Sequence, residues 1–376
     1  MVLCRVIAAV FTAGLGILIA GVGNVYTGTD LPLFVKENNV PESEVISAPG
    51  FTRTVRWFYS KGVRCHAWLY LPTPEDKGEG EGGEGDGGAS DLPPIVLMGH
   101  GMGAQKDMGL AKYAEYFTEL GIASLVFDYR TFGGSDGMPR HYVEPWRHVE
   151  DYIAALDYIR GPGLSGVVDS SRVALWGTSF SGGHVLNVAA ADNPPSAVGG
   201  IRAIISQVTR MTVSTWGADR GLPLASDSAS VLLPLEFRRR KSRTIIVLCT
   251  RYVAIVGCDG DVAMMSLSDE GCENYFAKHP KEKLGGWRNQ VCARVGALVG
   301  MYSPIKALPQ VKAPILFVAA EYDQQCPADK VREAVALAHD AKLSLHNKTH
   351  FDMYLDETLR AILKDMGDHL EEHLKP

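Results

Sequence analysis

Two serines, Ser179 and Ser181, lie two positions apart in the segment VALWGTSFSGGH (173–184). A serine hydroxyl becomes an effective nucleophile when a histidine accepts its proton and a carboxylate holds that histidine in the required tautomer. Such a serine stands on a sharp strand-to-helix turn, with small residues two positions before and after it. Gly177 and Ser181 fill those positions around Ser179. We predict Ser179 as the nucleophile, with Ser181 as the alternative and an ordinary capped turn as the non-catalytic interpretation.

The acid and the base are expected after two later apolar runs. Asp323 follows ILFVAAEY, and His350 follows KLSLHNKT. With Ser179 they give the chain order Ser, Asp, His, which is one of the orders in which this triad occurs. Glu321 is the alternative acid, because residues two apart on a strand share a face. His346, which lies within the last predicted strand, is the alternative base.

Two backbone N–H groups are expected to stabilise the oxyanion that forms when the serine attacks a carbonyl group. One is that of Phe180, at the start of the helix after the turn. The other is that of Met102, in the segment GHGMG, where the glycines allow a close approach of the backbone. His100 in the same segment and His184 in the helix after the turn are predicted to be packing or hydrogen-bonding residues.

The elements that must position these residues follow from hydrophobic periodicity. FTRTVRWFYS and CHAWLYLP, joined by KG, predict a hairpin, and the apolar runs PIVLMG, ASLVFDYR, RVALWG, IRAIISQ, APILFVAAEYD and KLSLH predict further strands. Segments with helical spacing of apolar residues, such as EPWRHVEDYIAALDYIRG, separate these strands. The alternation predicts an α/β fold with a mostly parallel central sheet and helices on both faces. The predicted triad then falls beyond the carboxyl ends of strands, where such folds bind ligands.

The N-terminal region differs in composition from the rest of the chain. Residues 6–22 are 17 residues without a charge, and they follow Arg5. We interpret residues 1–23 as a signal peptide or a membrane anchor, with a helix packed on the domain as the alternative. Residues 24–50 are polar and interrupted by proline, which indicates a linker. These features predict a membrane-anchored or secreted protein rather than a cytoplasmic one.

The remaining residues, 51–376, are predicted to form one α/β domain with two irregular insertions. Residues 75–91 are acidic and rich in glycine, which is typical of a loop that cannot order itself by burying apolar surface. The strand–helix alternation breaks at about 208–308, and we interpret this interval as a cap over the edge where the strands end.

The composition argues against two classes of binding partner, nucleic acid and a structural zinc ion. A net charge of −6 gives no electrostatic basis for binding nucleic acid. The seven cysteines include no C-x-x-C pair, which argues against a structural zinc site. We expect a small acyl compound as the substrate, no metal or organic cofactor for the reaction, and possible association with a membrane through the N-terminus.

The segments GHGMG, FDYRTFGGSDGMPR, WGTSFSGGH, AAEYDQQCP and THFDMY occur in the order found in the serine α/β-hydrolases. The chain resembles the dienelactone-hydrolase-like and serine-aminopeptidase-like group of this superfamily from about residue 51 to the C-terminus. Ser181 departs from the common Gly-x-Ser-x-Gly pattern. The segment RRRKSRTIIVLC, within the predicted cap, has no counterpart in the group that the chain resembles. The resemblance implies the α/β-hydrolase fold, structural roles for Asp128 and Arg130, and the triad Ser179, Asp323 and His350.

Three functions are compatible with these residues. The first is hydrolysis of a carboxylic ester, a thioester or a small amide through an acyl-enzyme on Ser179. The second is acyl transfer by the same triad to an alcohol or an amine. The third is a membrane-tethered binding module without catalytic activity, which a complete triad in the expected order argues against.

Overall fold

The computed structural model describes residues 40–73, 92–192, 199–211, 252–258, 261, 263–267, 275 and 287–375. Within these residues the strands form a sheet of nine strands and a second sheet of three. In chain order the strands are β1 (Val45–Ala48), β2 (Phe51–Ser60), β3 (Val63–Pro72), β4 (Ile95–Gly99), β5 (Ala123–Phe127), β6 (Val173–Thr178), β7 (Ile201–Gln207), β8 (Tyr252–Gly257), β9 (Ala263–Ser266), β10 (Val291–Cys292), β11 (Ile315–Ala320) and β12 (Ala341–His346).

The large sheet has the strand order β1-β2-β3-β5-β4-β6-β7-β11-β12. The strands from β5 to β12 in this order pair in parallel, and β1, β2 and β3 add an antiparallel edge. Every residue of β4, β5, β6 and β11 is buried, as expected for parallel strands that are covered on both faces. The predicted hairpin is present as β2 and β3. Its turn places Lys61 and Gly62 at positive φ, as a tight two-residue turn requires.

Helices cover both faces of this sheet, so the predicted α/β class with a mostly parallel central sheet is confirmed. The α-helices are α1 (Ala111–Glu119), α2 (Pro145–Arg160), α3 (Phe180–Ala191), α4 (Val295–Val299), α5 (Ala328–Leu337) and α6 (Asp356–Leu374). Successive strand residues point to opposite faces. Leu175 of β6 accordingly packs in the core that includes α2, α3 and α5, whereas Trp176 packs in the core that includes α1 and α6.

Buried charges hold the loop that follows β5 against its neighbours. Asp128 accepts hydrogen bonds from the backbone and the side chain of Lys106, at 2.8 and 2.5 Å, and from the backbone of Gly134 at 2.9 Å. Arg130 donates to both carboxylate oxygens of Asp151 on α2, through its backbone N at 2.9 Å and its Nε at 2.5 Å. Asp128 and Arg130 therefore have the structural roles that the resemblance implied.

The small sheet contacts the loop that follows β4. Its strand order is β10-β8-β9. The indole of Trp287 donates to the carbonyl oxygen of Gly103 at 2.9 Å, and a Cβ at Gly103 would lie 2.6 Å from Ile255 of β8. Gly103 has a φ of +67°, so both its conformation and its close contacts favour glycine.

Several predicted segments fall wholly or partly outside the described residues. These are the segment 1–23, the loop 75–91, and much of the interval 208–308 and of the linker 24–50. Within the predicted linker, Val45–Ala48 instead forms strand β1, which pairs antiparallel with β2. This strand has four residues and is largely exposed, so its sequence carries little of the burial pattern from which strands are predicted.

The predicted localisation requires a correction. Among the residues that the structure describes, no helix is long and apolar enough to cross a membrane. This finding contradicts the predicted membrane anchoring. The prediction relied on the uncharged run of 17 residues after Arg5, which lies outside the described residues.

We expect Arg130→Met to lower the free energy of unfolding by about 3–5 kcal/mol, because it leaves the buried Asp151 carboxylate without its charged partner. Urea denaturation of the full chain measures this loss. Lys364→Met is the control, since it breaks the exposed Lys364–Asp368 pair, and it should cost far less. Equal losses in the two variants would contradict a structural role for the buried pair.

Candidate active site

Ser179 lies in the turn between β6 and α3, with φ 55° and ψ −119°. This is a strained conformation for a residue with a side chain, and such strain concentrates at functional sites. The backbone N of Ser179 donates to the carbonyl oxygen of Gln207 on β7 at 2.8 Å. A Cβ at position 177 would lie 2.3 Å from the carbonyl oxygen of Ser181, so Gly177 allows this turn to close.

Ser181 is fully buried behind the turn. Its Oγ is hydrogen-bonded to Tyr129 Oη at 2.8 Å and lies 3.3 Å from Tyr152 Oη, which donates to the carbonyl oxygen of Trp176 at 2.6 Å. Two tyrosine hydroxyls thus contact the hydroxyl of Ser181, which stands where the common pattern has glycine. This placement favours Ser179 over Ser181 as the nucleophile.

Asp323 and His350 form a buried pair, with 2.7 Å between Asp323 Oδ2 and His350 Nδ1. The other oxygen of Asp323 accepts the backbone N–H groups of Gln325 and Cys326, each at 2.7 Å. Burial lowers the pKa of His350, but Asp323 and Cys326 together raise it by more, so the pKa lies above its ordinary value of 6.5, at about 10.

The alternative acid and base have other partners. Glu321 forms an ion pair with Arg332 at 2.5 Å. His346 Nε2 lies 2.8 Å from the hydroxyl of Ser344, whose Oγ also donates to Asp365. The structure therefore brings together Asp323 and His350 and leaves Glu321 and His346 apart from them.

The two predicted oxyanion donors lie beside Ser179. Met102 and Phe180 line the same pocket as Ser179. The backbone also passes close to the serine at Gly101, where a Cβ would lie 3.2 Å from Ser179 Cβ. Phe180 is the first residue of α3, and the first N–H groups of a helix have no acceptor within the helix. Both residues thus line the pocket beside the expected nucleophile.

The buried histidines near the turn have structural contacts. His100 Nδ1 donates to the carbonyl oxygen of Gly101 at 2.9 Å, and burial lowers its pKa to about 4. His184 Nδ1 lies 2.7 Å from Tyr302 Oη, its Nε2 lies 3.3 Å from His148 Nδ1, and burial lowers its pKa to about 3. Their packing and hydrogen-bonding roles agree with the prediction from the sequence.

A small pocket lies next to Ser179. Besides Ser179, the residues that line it are Met102, Phe180, Arg210, Met265, Gln325 and Cys326. Sequence reasoning missed Arg210, Met265, Gln325 and Cys326. A signal existed for two of them, because Arg210 follows the end of β7 by three residues and Cys326 follows Asp323 by three.

Cys326 lies both on the pocket beside Ser179 and next to the Asp323–His350 pair. It lines the pocket with Ser179, and its Sγ lies within 4.8 Å of ligand atoms of both Asp323 and His350. Among the described residues no hydrogen bond joins Ser179 Oγ to His350. Catalytic hydrogen bonds are often long in the absence of substrate and tighten in the complex.

Comparison with known proteins identifies relatives. The quorum-quenching protein AidA of Acinetobacter baumannii is 30% identical over 314 residues, which cover 84% of this chain and 93% of AidA. The acyltransferase drtE of Aspergillus calidoustus is 26% identical over 276 residues, or 72% of this chain and 83% of drtE. The α/β hydrolase GrgF from Penicillium sp. sh18 superimposes with a TM-score of 0.61 at 23% identity, covering 86% of this chain and 99% of GrgF.

The family comparison agrees with the fold. The sequence profile of the X-Pro dipeptidyl-peptidase (S15) family matches residues 59–352, which include β3 to β12 and the predicted triad. The resemblance to the serine α/β-hydrolases is thereby confirmed. The chain belongs to the peptidase S15 family and is an enzyme of the serine hydrolase type with the α/β-hydrolase fold.

Proposed function

We propose that the enzyme forms an acyl-enzyme on Ser179 and hydrolyses a carboxylic ester, a thioester or a small amide. His350 acts as base and then as acid, and Asp323 orients His350. The main support is that Ser179 occupies a strained turn on a pocket that it shares with Cys326, whose thiol lies beside the Asp323–His350 pair.

The proposed reaction begins with transfer of the Ser179 proton to His350 Nε2 as Oγ attacks the acyl carbon. Asp323 holds the other ring nitrogen as N–H, which leaves Nε2 free to accept that proton. The N–H groups of Met102 and Phe180 stabilise the oxyanion. His350 then protonates the leaving group, and a water molecule activated by His350 hydrolyses the acyl-enzyme.

The pocket favours an apolar acyl group with a polar substituent. Met102, Phe180 and Met265 offer sulfur and aromatic surface, which adapts to chains of varied shape. Arg210 adds a positive charge on the same lining, and its Nη1 donates to the carbonyl oxygen of Gln325 at 3.0 Å. A carbonyl or carboxylate oxygen on the substrate is the complementary group.

We also propose that the interval 208–308 acts as a cap that shapes this pocket. Met265 of β9 reaches the pocket lining, and Trp287 holds the loop that carries Met102 through its bond to Gly103. Residues of this interval therefore contact both the acyl site and Gly103, the residue after the predicted oxyanion donor. The cap is accordingly the part of the chain that selects the acyl group.

Acyl transfer is the second candidate, because drtE is an acyltransferase. Asp323 and His350 are about 95% buried, and a site that excludes water favours an alcohol or an amine as the acyl acceptor. Membership of a serine hydrolase family argues against the non-catalytic binding module.

We expect Ser179→Ala to abolish labelling by a fluorophosphonate probe and to lower the hydrolysis of p-nitrophenyl esters on the order of 10⁶-fold. Ser181→Ala is the matched control, and it should retain most labelling, because the Ser181 hydroxyl contacts tyrosines behind the turn. Intact mass spectrometry after labelling gives the readout. Undiminished labelling of Ser179→Ala would refute the assignment of the nucleophile.

Product analysis with an added alcohol should separate hydrolysis from transfer. If water is the acceptor, increasing the alcohol concentration leaves the free acid as the main product at every concentration. Transfer instead predicts an ester of the added alcohol that increases with its concentration, at an unchanged rate of acylation. Chromatography of the products with one p-nitrophenyl ester distinguishes the two acceptors, and a predominant ester product would refute the hydrolase proposal.

We expect kcat/KM to rise with pH along a limb whose apparent pKa lies above 6.5. The reason is that His350 must be neutral to accept a proton and Asp323 raises its pKa. Asp323→Asn removes the carboxylate charge, so it should move this limb to lower pH and lower kcat by about 10⁴-fold. Glu321→Gln is the control and should keep the wild-type limb, since Glu321 pairs with Arg332. An unmoved limb in Asp323→Asn would exclude the proposed pair.

A further inference from the structure

Three buried side chains of different types lie close together, and one of them, Cys326, lines the pocket. A carboxylate oxygen of Asp323, Sγ of Cys326 and a ring nitrogen of His350 all lie within 4.8 Å of one another. Cys326 is a free thiol, and each of the three residues is at least 95% buried. The reaction proposed above uses Asp323 and His350 and gives Cys326 no role.

We propose that Asp323, Cys326 and His350 form an inhibitory binding site for Zn²⁺, in which the metal ion replaces the proton shared by Asp323 and His350. Inhibition by this site rests on the proposed function, whereas binding of the metal does not. A water molecule from the pocket completes a tetrahedral set of ligands.

The ligand types fit this ion. Thiolate, imidazole and carboxylate are the three side-chain ligands that Zn²⁺ uses, at about 2.0–2.3 Å. In a tetrahedral site such ligand atoms lie ~3.3–3.8 Å apart. The Asp323–His350 contact of 2.7 Å must therefore widen, and Cys326 Sγ, within 4.8 Å of both, approaches to these distances by small side-chain rotations.

The surroundings favour a thiophilic ion over a hard one. Arg210 lines the same pocket and repels cations that are held only by charge, such as Mg²⁺. A Zn–thiolate bond together with the charge of the Asp323 carboxylate overcomes this repulsion. The second oxygen of Asp323 keeps its two backbone N–H donors, which orient the carboxylate. Cys326 lines the pocket, so the ion has an entry path.

The binding step balances without a redox change. With His350 neutral, Zn²⁺ forms bonds to Asp323 Oδ2, His350 Nδ1 and Cys326 Sγ. The proton on Nδ1 moves to Nε2, and the thiol proton leaves to solvent. His350 Nε2 then carries a proton, so it cannot accept one from Ser179, and acylation stops.

The test measures Zn²⁺ binding to the full chain by equilibrium dialysis and by competition with a chromophoric chelator. We expect wild type to bind one Zn²⁺ more than Cys326→Ser does, with no such difference for Mg²⁺. Cys65→Ser is the matched control, because Cys65 is the other free buried cysteine in the part of the chain that the structure describes and lies in β3, and it should bind as wild type does. Circular dichroism checks that each variant is folded, and Cys326→Ala serves in place of a misfolded Cys326→Ser.

Activity gives the second readout. Zn²⁺ should inhibit ester hydrolysis by wild type and Cys65→Ser at a concentration at least tenfold lower than for Cys326→Ser, and a chelator should restore the rate. Equal Zn²⁺ binding by wild type and both Cys326 variants would overturn the site. Cys326-dependent binding without inhibition would overturn its inhibitory role. An enzyme that binds Zn²⁺ through Cys326 but cleaves no ester would instead refute the proposed function and leave the metal site standing.

Discussion

Ser179 holds its backbone at φ 55° and ψ −119°, a conformation that costs on the order of 1–3 kcal/mol and persists only where the surroundings impose it. The backbone bond from Ser179 to Gln207 ties the turn to the neighbouring strand. Gly177 leaves room for the carbonyl group of Ser181. The position of the proposed nucleophile therefore depends on the pairing of β6 with β7, and through it on the whole parallel sheet.

Buried charges extend this constraint to the loops around the serine. Asp128 binds the backbone and the ammonium group of Lys106, four residues after Met102. Arg130 and Asp151 anchor the next loop to α2. Removing one member of such a pair strongly destabilises the fold, because the remaining charge is then buried without compensation. The loop that carries a predicted oxyanion donor is thus held by interactions that do not themselves take part in the chemistry.

The same geometry that favours catalysis also favours metal binding in our proposals. A triad needs a carboxylate and an imidazole in direct contact and shielded from water, and Zn²⁺ binds to those two groups. Cys326 supplies a third ligand on the loop that begins at Asp323. Regulation of the enzyme by a metal ion would therefore require no element beyond those that position the acid and the base.

The sequence by itself determined the α/β alternation, the small residues around Ser179 and the order Ser, Asp, His, because these are local patterns or orders along the chain. It could not determine that two tyrosines bond to Ser181, or that Met265 from the small sheet reaches the pocket. Strand β1 was also not predicted, because an exposed strand of four residues is stabilised by backbone pairing rather than by its side chains. The partners of Ser181 and the residues of the pocket lie far apart in the chain, so only tertiary packing decides which of them meet.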